Sequence, residues 1–479
     1  MASYRWVFRT FLLSFLVILL VIIVVGFQMF KSAEDDLYSD MYDRALQDDE
    51  MQQVVLKSDK NGDPHVKPVF QDNINVPVLV WWTPFTGEKG RVKSCGDVKC
   101  FFTVNRTYKD HPRAKVFMFY GTDISPPDLP IPRQPHHEWA LLHEESPKNE
   151  YLFSHADIMT LFNHTCTFKR ESDYPTTTLY LKGIEELEST EYLVPIKEKN
   201  NLLSQQAPVA FVHSDCGTPS DREKFTERLM KFIPVDSMGK CLHNKDLPKE
   251  LSDPLKGMSH KDFYKIMAGY KFTMAFENGV CDDYVTEKFW RPLQLGSVPI
   301  VFGSPKIKDL MPSNHSIIDI RNYKTIKELA DHLNFLNNND DEYQKYLQFK
   351  KPGGVTNTYL KEIMERREWG IDNDWQRGNF IDGFECHVCR RLHENEQLIR
   401  DGKKPRTHIA TVDHYGCPKP KRFKADGSTE RVEDDWWAQE WISTKYQAKA
   451  IRYYIDRGLN FTQDEFLKMA ADLSDLEHR

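Results

Sequence analysis

Short runs of apolar residues, separated by polar loops, recur along the chain from residue 76 onward. Runs of this kind, bounded by turn-forming residues, are typical of buried β-strands. We assign strands to Val76–Trp82, Ala114–Tyr120, Trp139–His143, Ile158–Phe162, Pro208–His213, Pro234–Asp236, Phe272–Phe276 and Val298–Phe302. Helical spacing lies between some of them, as in Asp221–Phe232. Strands that alternate with helices predict parallel α/β layers.

The alternation falls into two blocks, 76–203 and 204–350, which we interpret as two α/β domains. A chain of 479 residues is too long for one ordinary core, so two domains with extensions fit its length. The tail, 351–479, is more polar and richer in helical patterns, most clearly in Ala438–Asp456.

The N-terminus contains an uncharged apolar run from Phe11 to Phe27. About 20 apolar residues suffice to cross a bilayer, so we predict a transmembrane anchor over 11–30. A cleaved signal peptide is the alternative, but it would have a shorter apolar region and a small-x-small cleavage site. Cations precede the run and acids follow it, which predicts a cytoplasmic tail (1–10) and a lumenal remainder. Residues 31–75 are polar and acidic, as expected for a stem.

Composition and charge exclude one class of partner and support the lumenal location. The net charge is −7, whereas a nucleic-acid-binding protein needs a basic excess. Nine cysteines are enough for several disulfides in an oxidising compartment. Asn-x-Ser/Thr sequons provide candidate N-glycosylation sites at Asn105, Asn163, Asn314 and Asn460. We therefore predict a single-pass type II membrane protein of the Golgi apparatus or endoplasmic reticulum.

The segment 271–303 combines a strand, a polar loop, a helix and a second strand. Thr286 is a good N-cap for the helix Glu287–Leu295, and Gly296 suits the position just after its end. In open α/β sheets, ligands bind where such a helix begins, at the carboxyl end of a strand. The helix N-terminus offers free N–H groups to an anion, and Lys288 adds a cation in the first turn. The alternative is a plain packing unit whose lysine is only solvated.

The same segment resembles the signature of the α1,3-fucosyltransferase family. The matching pieces, in order, are Tyr270-Lys271-Phe272, Phe276-Glu277-Asn278, Asp283-Tyr284-Val285-Thr286-Glu287-Lys288 and Gly296-Ser297-Val298-Pro299-Ile300-Val301-Phe302-Gly303. The similarity extends from about Val76 to Lys350 and includes Glu145-Ser146-Pro147. The resemblance implies a GT-B architecture, in which two Rossmann-like domains face a cleft. It also implies inverting transfer of L-fucose from GDP-fucose, with no cofactor or metal required.

The family's donor-binding residues map onto this chain at its matching motifs. The resemblance implies that Arg222 and Lys288 hold the diphosphate, whose departing charge fixed cations stabilise. It implies that Glu287 and Tyr284 contact the ribose and fucose region. Asn278 is expected to shape the loop.

Glu145 is the predicted general base, because the family's Glu-Ser-Pro motif provides one at this place. A single displacement needs one group to accept the proton of the acceptor hydroxyl as the sugar arrives. Glu145 follows the predicted strand Trp139–His143 at its carboxyl end, which would face the cleft. The adjacent Glu144 would point elsewhere, since side chains alternate along a strand.

Two patterns invite a metal ion, and we discount both. Asp282-Asp283 could bind a divalent ion, but the family pattern already provides cations for the phosphates. A zinc site could be assembled from Cys386, Cys389, His393, His414 and Cys417. An oxidising compartment favours disulfides over zinc thiolates, so we expect no metal site.

The cysteines are expected to form disulfides, some of them local. The resemblance implies a pair between Cys386 and Cys389, and Cys95–Cys100 would close a similar short loop. Spacing does not fix connectivity, so the remaining assignments are guesses. They are Cys216–Cys241, Cys281–Cys417 and a free Cys166.

The acceptor side follows the family least closely. His137-Glu138-Trp139 stands where members have Gln-Arg-Trp, and Asn163-His164-Thr165 where they have Asn-Trp-Thr. The stretches 143–149, 280–283 and 289–293 look most like a divergent subgroup, assigned as O-fucosyltransferases of Ser/Thr in EMI domains. We therefore favour a protein acceptor, with the N-acetylglucosamine of a glycoprotein N-glycan as the alternative. A non-catalytic membrane lectin or chaperone on the same fold is the third hypothesis.

Overall fold

Two β-sheets, made mostly of parallel strands, contain most of the predicted strands, so the α/β class is confirmed. The computed structural model describes residues 74–84, 90–253, 257–371, 378–433 and 435–477. The predicted cytoplasmic tail and transmembrane segment, and nearly all of the predicted stem, lie outside these residues. Among the described residues, no helix is both long enough and apolar enough to cross a bilayer.

The first sheet has the strand order β2-β3-β1-β4-β5-β6, and only β2 runs antiparallel to its neighbour. Its strands are β1 Val78–Thr83, β2 Arg91–Cys95, β3 Val98–Thr103, β4 Ala114–Tyr120, β5 Glu138–His143 and β6 His164–Thr167. All residues of β1 are buried, as expected for a strand covered on both faces. The β2–β3 hairpin was not predicted, because β2 is a polar edge strand with one buried residue.

The predicted strand Ile158–Phe162 is wrong. This stretch overlaps the helix α1, Ala156–Met159, and the strand follows later, as β6. Ile158 and Phe162 are nevertheless fully buried. A short, mostly apolar run has no periodicity that separates a buried helix from a buried strand, which explains the error.

The second sheet has the order β11-β10-β9-β7-β8, with all strands parallel. Its strands are β7 Val209–Phe211, β8 Val235–Ser237, β9 Phe272–Phe276, β10 Val298–Phe302 and β11 Ile318–Asp319. This is a doubly wound order, because the chain adds β8 on one side of β7 and then β9 on the other. A separate antiparallel pair, β12 Lys421–Phe423 and β13 Arg431–Glu433, follows near the C-terminus.

The remaining helices are α2 Ile184–Glu188, α3 Ile196–Leu202, α4 Arg222–Leu229, α5 Lys261–Ala268, α6 Glu287–Leu295, α7 Ile326–Asn337, α8 Asp340–Lys345, α9 Thr358–Arg366, α10 Phe380–Arg400, α11 Asp435–Arg457 and α12 Gln463–Glu477. α10 returns to the first sheet, where Phe384 and Val388 share a core with Trp81 and Met118. Part of the C-terminal tail therefore completes the first α/β layer, and the domain boundaries stay predictions. α11 confirms the helix predicted over Ala438–Asp456.

Two disulfides join α10 to the β2–β3 hairpin: Cys95 pairs with Cys386, and Cys100 pairs with Cys389. The predicted pairs within each short loop are therefore wrong. Residues three apart on a helix share one face, so both cysteines of α10 point toward the hairpin. The other predictions are confirmed, with the pairs Cys216–Cys241 and Cys281–Cys417 and a free, buried Cys166.

Helix α6 is built as predicted and is stabilised at both ends. Thr286 is its N-cap, with its hydroxyl accepting a backbone N–H two residues on. Gly296 follows the last turn with φ of 69°, a conformation that favours glycine. Lys199 and Lys350 donate to the carbonyls of Gly296 and Gln294 at 2.6 and 2.7 Å. Cations at this end of a helix complement its dipole.

Candidate active site

The strand order of the second sheet reverses between β7 and β9, which makes the crevice outside their carboxyl ends the expected ligand site. The loop after β7 contains His213 and Asp215, and the loop after β9 contains Glu277 and Asn278. α6 follows the second loop, so its N-terminus lies at the same edge. The predicted donor residues therefore gather where the topology favours a phosphorylated ligand.

Lys288 lies among carboxylates at the start of α6. Its Nζ donates to Glu287 Oε1 at 3.0 Å and lies 3.7 Å from Glu277 Oε2. Burial alone would lower the pKa of Lys288, but these carboxylates outweigh it and hold that pKa above its ordinary value. Burial alone would raise the pKa of Glu287, but Lys288 and Arg291 lower it to about 2. Lys288 and Glu287 are therefore both charged at neutral pH.

Glu277 belongs to this site, although it was not among the predicted site residues. Its buried carboxylate accepts from the N–H and the hydroxyl of Thr286 at 2.7 and 3.0 Å, which fixes the N-cap of α6. A Cβ on Gly303 would lie 2.8 Å from Glu277 Cγ, so glycine at that position makes room for the carboxylate. The motif Phe276-Glu277-Asn278 was the signal that could have identified it.

Arg222 is the first residue of α4 and is 1% exposed. Its guanidinium donates to Phe276 O at 3.3 Å, to Asp215 O at 2.7 Å and to Glu223 Oε1 at 3.2 Å. These contacts use three of the five N–H groups of an arginine. Arg222 is therefore fixed between the loops after β7 and β9, with N–H groups left for a further acceptor.

A small cavity beside the start of α6 is lined by His213, Lys288 and Arg291, among others. Burial, and after it the charges of Arg222 and Lys288, lower the pKa of His213 well below its ordinary value. The imidazole is therefore neutral at physiological pH, and the positive charge of this crevice comes from the lysine and the arginines.

Asn278 joins the two α/β blocks. Its Oδ1 accepts from Ser146 Oγ at 2.6 Å and from the Tyr284 hydroxyl at 3.2 Å. Tyr284 is 5% exposed, so its hydroxyl holds the loop together with Asn278. Its predicted contact with ribose and fucose stays a prediction.

Two ion pairs join the same edges of the two sheets. Lys148 Nζ lies 2.5 Å from Asp215 Oδ1, and Arg170 Nη2 lies 2.6 Å from Asp283 Oδ1. Lys148 follows β5 and Arg170 follows β6, whereas the two aspartates follow β7 and β9. The carboxyl ends of strands in both sheets therefore face one another across the cleft.

The loop after β5 carries two neighbouring carboxylates in different surroundings. Glu145 is half-buried, and its Oε2 accepts from Asn149 Nδ2 at 3.2 Å. Glu144 is buried, and its Oε2 has no hydrogen-bond partner among the described residues. Burial raises the pKa of Glu144 to about 7. Burial, followed by the charge of Glu144, also raises the pKa of Cys166 in β6, the strand next to β5.

Tyr180, in the loop before α2, is a further tyrosine near the carboxylates of the site and was not predicted. Loss of solvent around its hydroxyl raises the pKa of Tyr180 well above its ordinary value, and the charges of Glu287 and Glu145 add to this effect. Its ring is 37% exposed. The non-periodic loop that contains Tyr180 gave no signal that this hydroxyl is near the carboxylates of the site.

The residues of both metal alternatives have other partners. Asp283 is fully buried and bound by Arg170, and Lys306 lies 3.3 Å from Asp282 Oδ2. The cysteines proposed for zinc are in disulfides, which leaves them no thiolate to donate. Cys100, Cys389 and His393 do cluster, but both sulfurs belong to one disulfide.

Comparison with known proteins identifies the family. Residues 73–178 match the N-terminal fucosyltransferase model, and residues 202–405 match the C-terminal model of glycosyltransferase family 10 (fucosyltransferase). The chain is 47% identical to GDP-fucose protein O-fucosyltransferase 3 of Canis lupus familiaris, over 81% of this chain and 82% of the relative. It is 46% identical to the Homo sapiens protein of that name, over 81% of this chain and 82% of the relative. It is 40% identical to the Xenopus tropicalis protein of that name, over 96% of each chain.

A crystal structure of an α1,3-fucosyltransferase with GDP-fucose aligns with 57% of this chain, and the alignment includes 83% of the fucosyltransferase chain. The two chains are 17% identical, and the TM-score is 0.35. This structural similarity is too weak to support a family assignment, which depends on the family models and the sequence relatives. The chain is a member of glycosyltransferase family 10, the fucosyltransferases.

Proposed function

We propose that this protein transfers L-fucose from GDP-fucose, with inversion, to a Ser or Thr hydroxyl of a folded protein domain of the EMI type. The names of the relatives, GDP-fucose protein O-fucosyltransferase 3, support the donor and the protein acceptor. The EMI type of domain is supported by the subgroup that the divergent acceptor-side sequence resembles. The two sheets with facing carboxyl edges support a GT-B architecture of two Rossmann-like domains.

The contact of Ser146 with Asn278 carries this proposal. Ser146 follows Glu145 directly, and Asn278 lies in the loop that leads to α6. Their 2.6 Å hydrogen bond brings the predicted base into the same cleft as the donor loop. An inverting transfer needs this arrangement, with a base on one side of the acceptor hydroxyl and the departing diphosphate on the other side of the sugar.

In the proposed reaction, Glu145 accepts the proton of the acceptor hydroxyl as its oxygen bonds to the anomeric carbon. The bond from that carbon to the diphosphate breaks, and GDP leaves. Arg222 and Lys288 stabilise the charge that develops on the diphosphate. Glu287 and Tyr284 contact the ribose and fucose region, and Asn278 shapes the loop that holds Tyr284. These side chains provide the charge needed, so we propose that no cofactor or metal is required.

The acceptor class can be tested by incubating the full-length protein in detergent with GDP-fucose and two acceptors. One is a folded EMI domain, and the other is a glycopeptide ending in N-acetylglucosamine. We expect one deoxyhexose on the EMI domain, removed by β-elimination as an O-linked sugar, and none on the glycopeptide. Fucose on the glycopeptide alone would contradict the proposed acceptor. GDP-fucose binding without transfer to either, or slow hydrolysis, would favour the lectin or chaperone hypothesis.

We further propose that the protein is a type II membrane protein of the Golgi apparatus or endoplasmic reticulum. The apolar run over 11–30 supports an anchor, and four disulfides among the described residues support an oxidising lumen. In that compartment, the lumenal part of the chain would itself be exposed to the enzymes that attach N-glycans to sequons.

The sequons divide by structure, which predicts where glycans attach. Asn105, Asn314 and Asn460 are exposed. Asn163 is instead half-buried, and its amide bonds to Trp139 N at 2.9 Å and His408 O at 2.8 Å. Of the four predicted sites, we therefore expect glycans at the three exposed asparagines only. Enzymatic deglycosylation in heavy-oxygen water, followed by peptide mass mapping, should label these three. A labelled Asn163, or no labelled site, would disagree with this expectation.

A further inference from the structure

Residues 408–423, which we call the strap, connect the two sheets on the side of the active site. The strap lies beyond residue 405, where the family model ends. It passes from the edge of the first sheet to the core of the second and touches the catalytic loops of both.

The strap begins on the first sheet, beside β6. Asn163 Nδ2 donates to His408 O at 2.8 Å, and Ala410 N donates to Phe162 O at 2.9 Å. Further on, the hydroxyl of Thr167, the last residue of β6, donates to a strap carbonyl at 2.5 Å. This end of the strap is therefore attached to the same edge from which Arg170 reaches the second sheet.

Tyr415, in the middle of the strap, is fully buried between the two catalytic loops. Its ring centroid lies 4.9 Å from that of His143, two residues before Glu145, and 5.1 Å from that of Phe168. Phe168 in turn lies 5.1 Å from Tyr284 of the donor loop. The Tyr415 hydroxyl has no hydrogen-bond partner among the described residues. The ring, rather than the hydroxyl, therefore makes the connection.

The strap is attached to the donor side by a disulfide and by a buried ring. Cys417 is bonded to Cys281, three residues before Tyr284. Phe423 N donates to Asp221 Oδ2 at 2.9 Å, and Asp221 immediately precedes Arg222 and helix α4. The Phe423 ring is buried in the core of the second sheet. One short segment thus contacts the end of β5, the donor loop and the start of α4.

We propose that the strap sets the distance between Glu145 and the donor-binding cations, with Tyr415 and Cys417 as positioning residues. This inference builds on the proposed function, since it assigns a role within the same reaction. Cys417 holds the donor loop through its disulfide with Cys281. The Tyr415 ring packs on His143, at the end of β5, and on Phe168. Neither residue touches the reacting atoms.

The physical reason is the strict geometry of a single displacement. The base, the acceptor oxygen and the anomeric carbon must be held within about 3–3.5 Å of productive contact, and a displacement near 1 Å can cost about 10²-fold in rate. The base and the phosphate-binding cations belong to different sheets here. The disulfide of Cys417 with Cys281 and the packing of the Tyr415 ring add a covalent link and a buried aromatic contact to the ion pairs and hydrogen bonds across the cleft, which fixes the separation more firmly.

The first test removes the link with Cys281→Ala/Cys417→Ala. Its matched control, Cys95→Ala/Cys386→Ala, removes a disulfide that joins α10 to the β2–β3 hairpin, away from the cleft. We expect the first pair to lower the transfer kcat at least about tenfold with GDP affinity changed less than about threefold. The control pair should lose thermal stability and keep its kcat. Equal effects of the two pairs on kcat would overturn the inference.

The second test examines the ring of Tyr415. Tyr415→Leu should lower kcat more than it raises the KM for GDP-fucose, and Tyr415→Phe should restore the rate. Hydrogen exchange gives a readout independent of activity: residues 277–286 and 144–149 should exchange faster in the Cys281→Ala/Cys417→Ala protein, and not in the control. Unchanged exchange in both segments would refute the positioning role. If the wild-type protein transfers no fucose, the proposed function fails, and the exchange result still decides the inference.

Discussion

Glu145→Gln is expected to lower the rate of fucose transfer by about 10²–10⁴-fold, the usual contribution of a positioned general base. The amide keeps the size of the side chain and its contact with Asn149, but it cannot accept the proton of the acceptor hydroxyl. Binding of GDP should be unchanged, because the donor cations lie on the other sheet. Initial rates with saturating GDP-fucose, together with calorimetric titration of GDP, measure both quantities.

Glu144→Gln is the matched control, because it makes the same chemical change one residue earlier. A pKa near 7 would suit a general base, and Glu144 has one. Its carboxylate is nevertheless buried, whereas that of Glu145 is partly exposed and so more accessible to an acceptor hydroxyl. We expect a rate within a few-fold of wild type for this variant. If the Glu145→Gln variant keeps the wild-type transfer rate and the Glu144→Gln variant is inactive, Glu145 is not the general base.

Local sequence signals predicted the helix at the candidate donor site well. The bounds of α6, its N-cap Thr286 and the glycine that follows it depend on interactions within a few residues, so the sequence contains them in full. The place of Lys288 followed from the topology of parallel strands, which brings carboxyl ends together at one edge, whereas Arg222 was assigned to the same site by the family resemblance. Only Glu277, which fixes the N-cap, needed the structure to reveal its place.

Contacts between distant segments were the ones that sequence reasoning missed or misassigned. Cys386 and Cys389 suggest a local pair, but whether they bond to each other depends on α10 packing against a hairpin about 290 residues away. Tyr415 reaches His143 across more than 270 residues, and the polar sequence around it has no periodic pattern. The position of Tyr180 near the carboxylates of the site likewise depends on distant segments. Such positions are set by tertiary packing, which local propensity does not report.

Lys288→Met is expected to lower kcat/KM for GDP-fucose by about 10²–10³-fold, as removal of one fixed stabiliser of transition-state charge commonly does. GDP should also bind more weakly, since the diphosphate loses a cation at the helix N-terminus. Lys306→Met is the control, because Lys306 is a cation near the same cleft that pairs with Glu171 and Asp282 at 3.3 Å each. That variant should keep most of the activity. Steady-state rates and GDP titrations compare the two.

A loss of fold must be separated from a loss of catalysis in this variant. Lys288 is the cation that pairs with both Glu287 and Glu277, so its removal takes the ion-pair partner from two carboxylates and leaves Glu287 only the charge of Arg291. An unpaired buried charge destabilises the protein, and Glu287→Gln in the same chain removes one of the two. We expect the double variant to regain thermal stability while transfer stays low. Recovery of activity along with stability would mean that Lys288 supports the fold around α6 rather than the departing diphosphate.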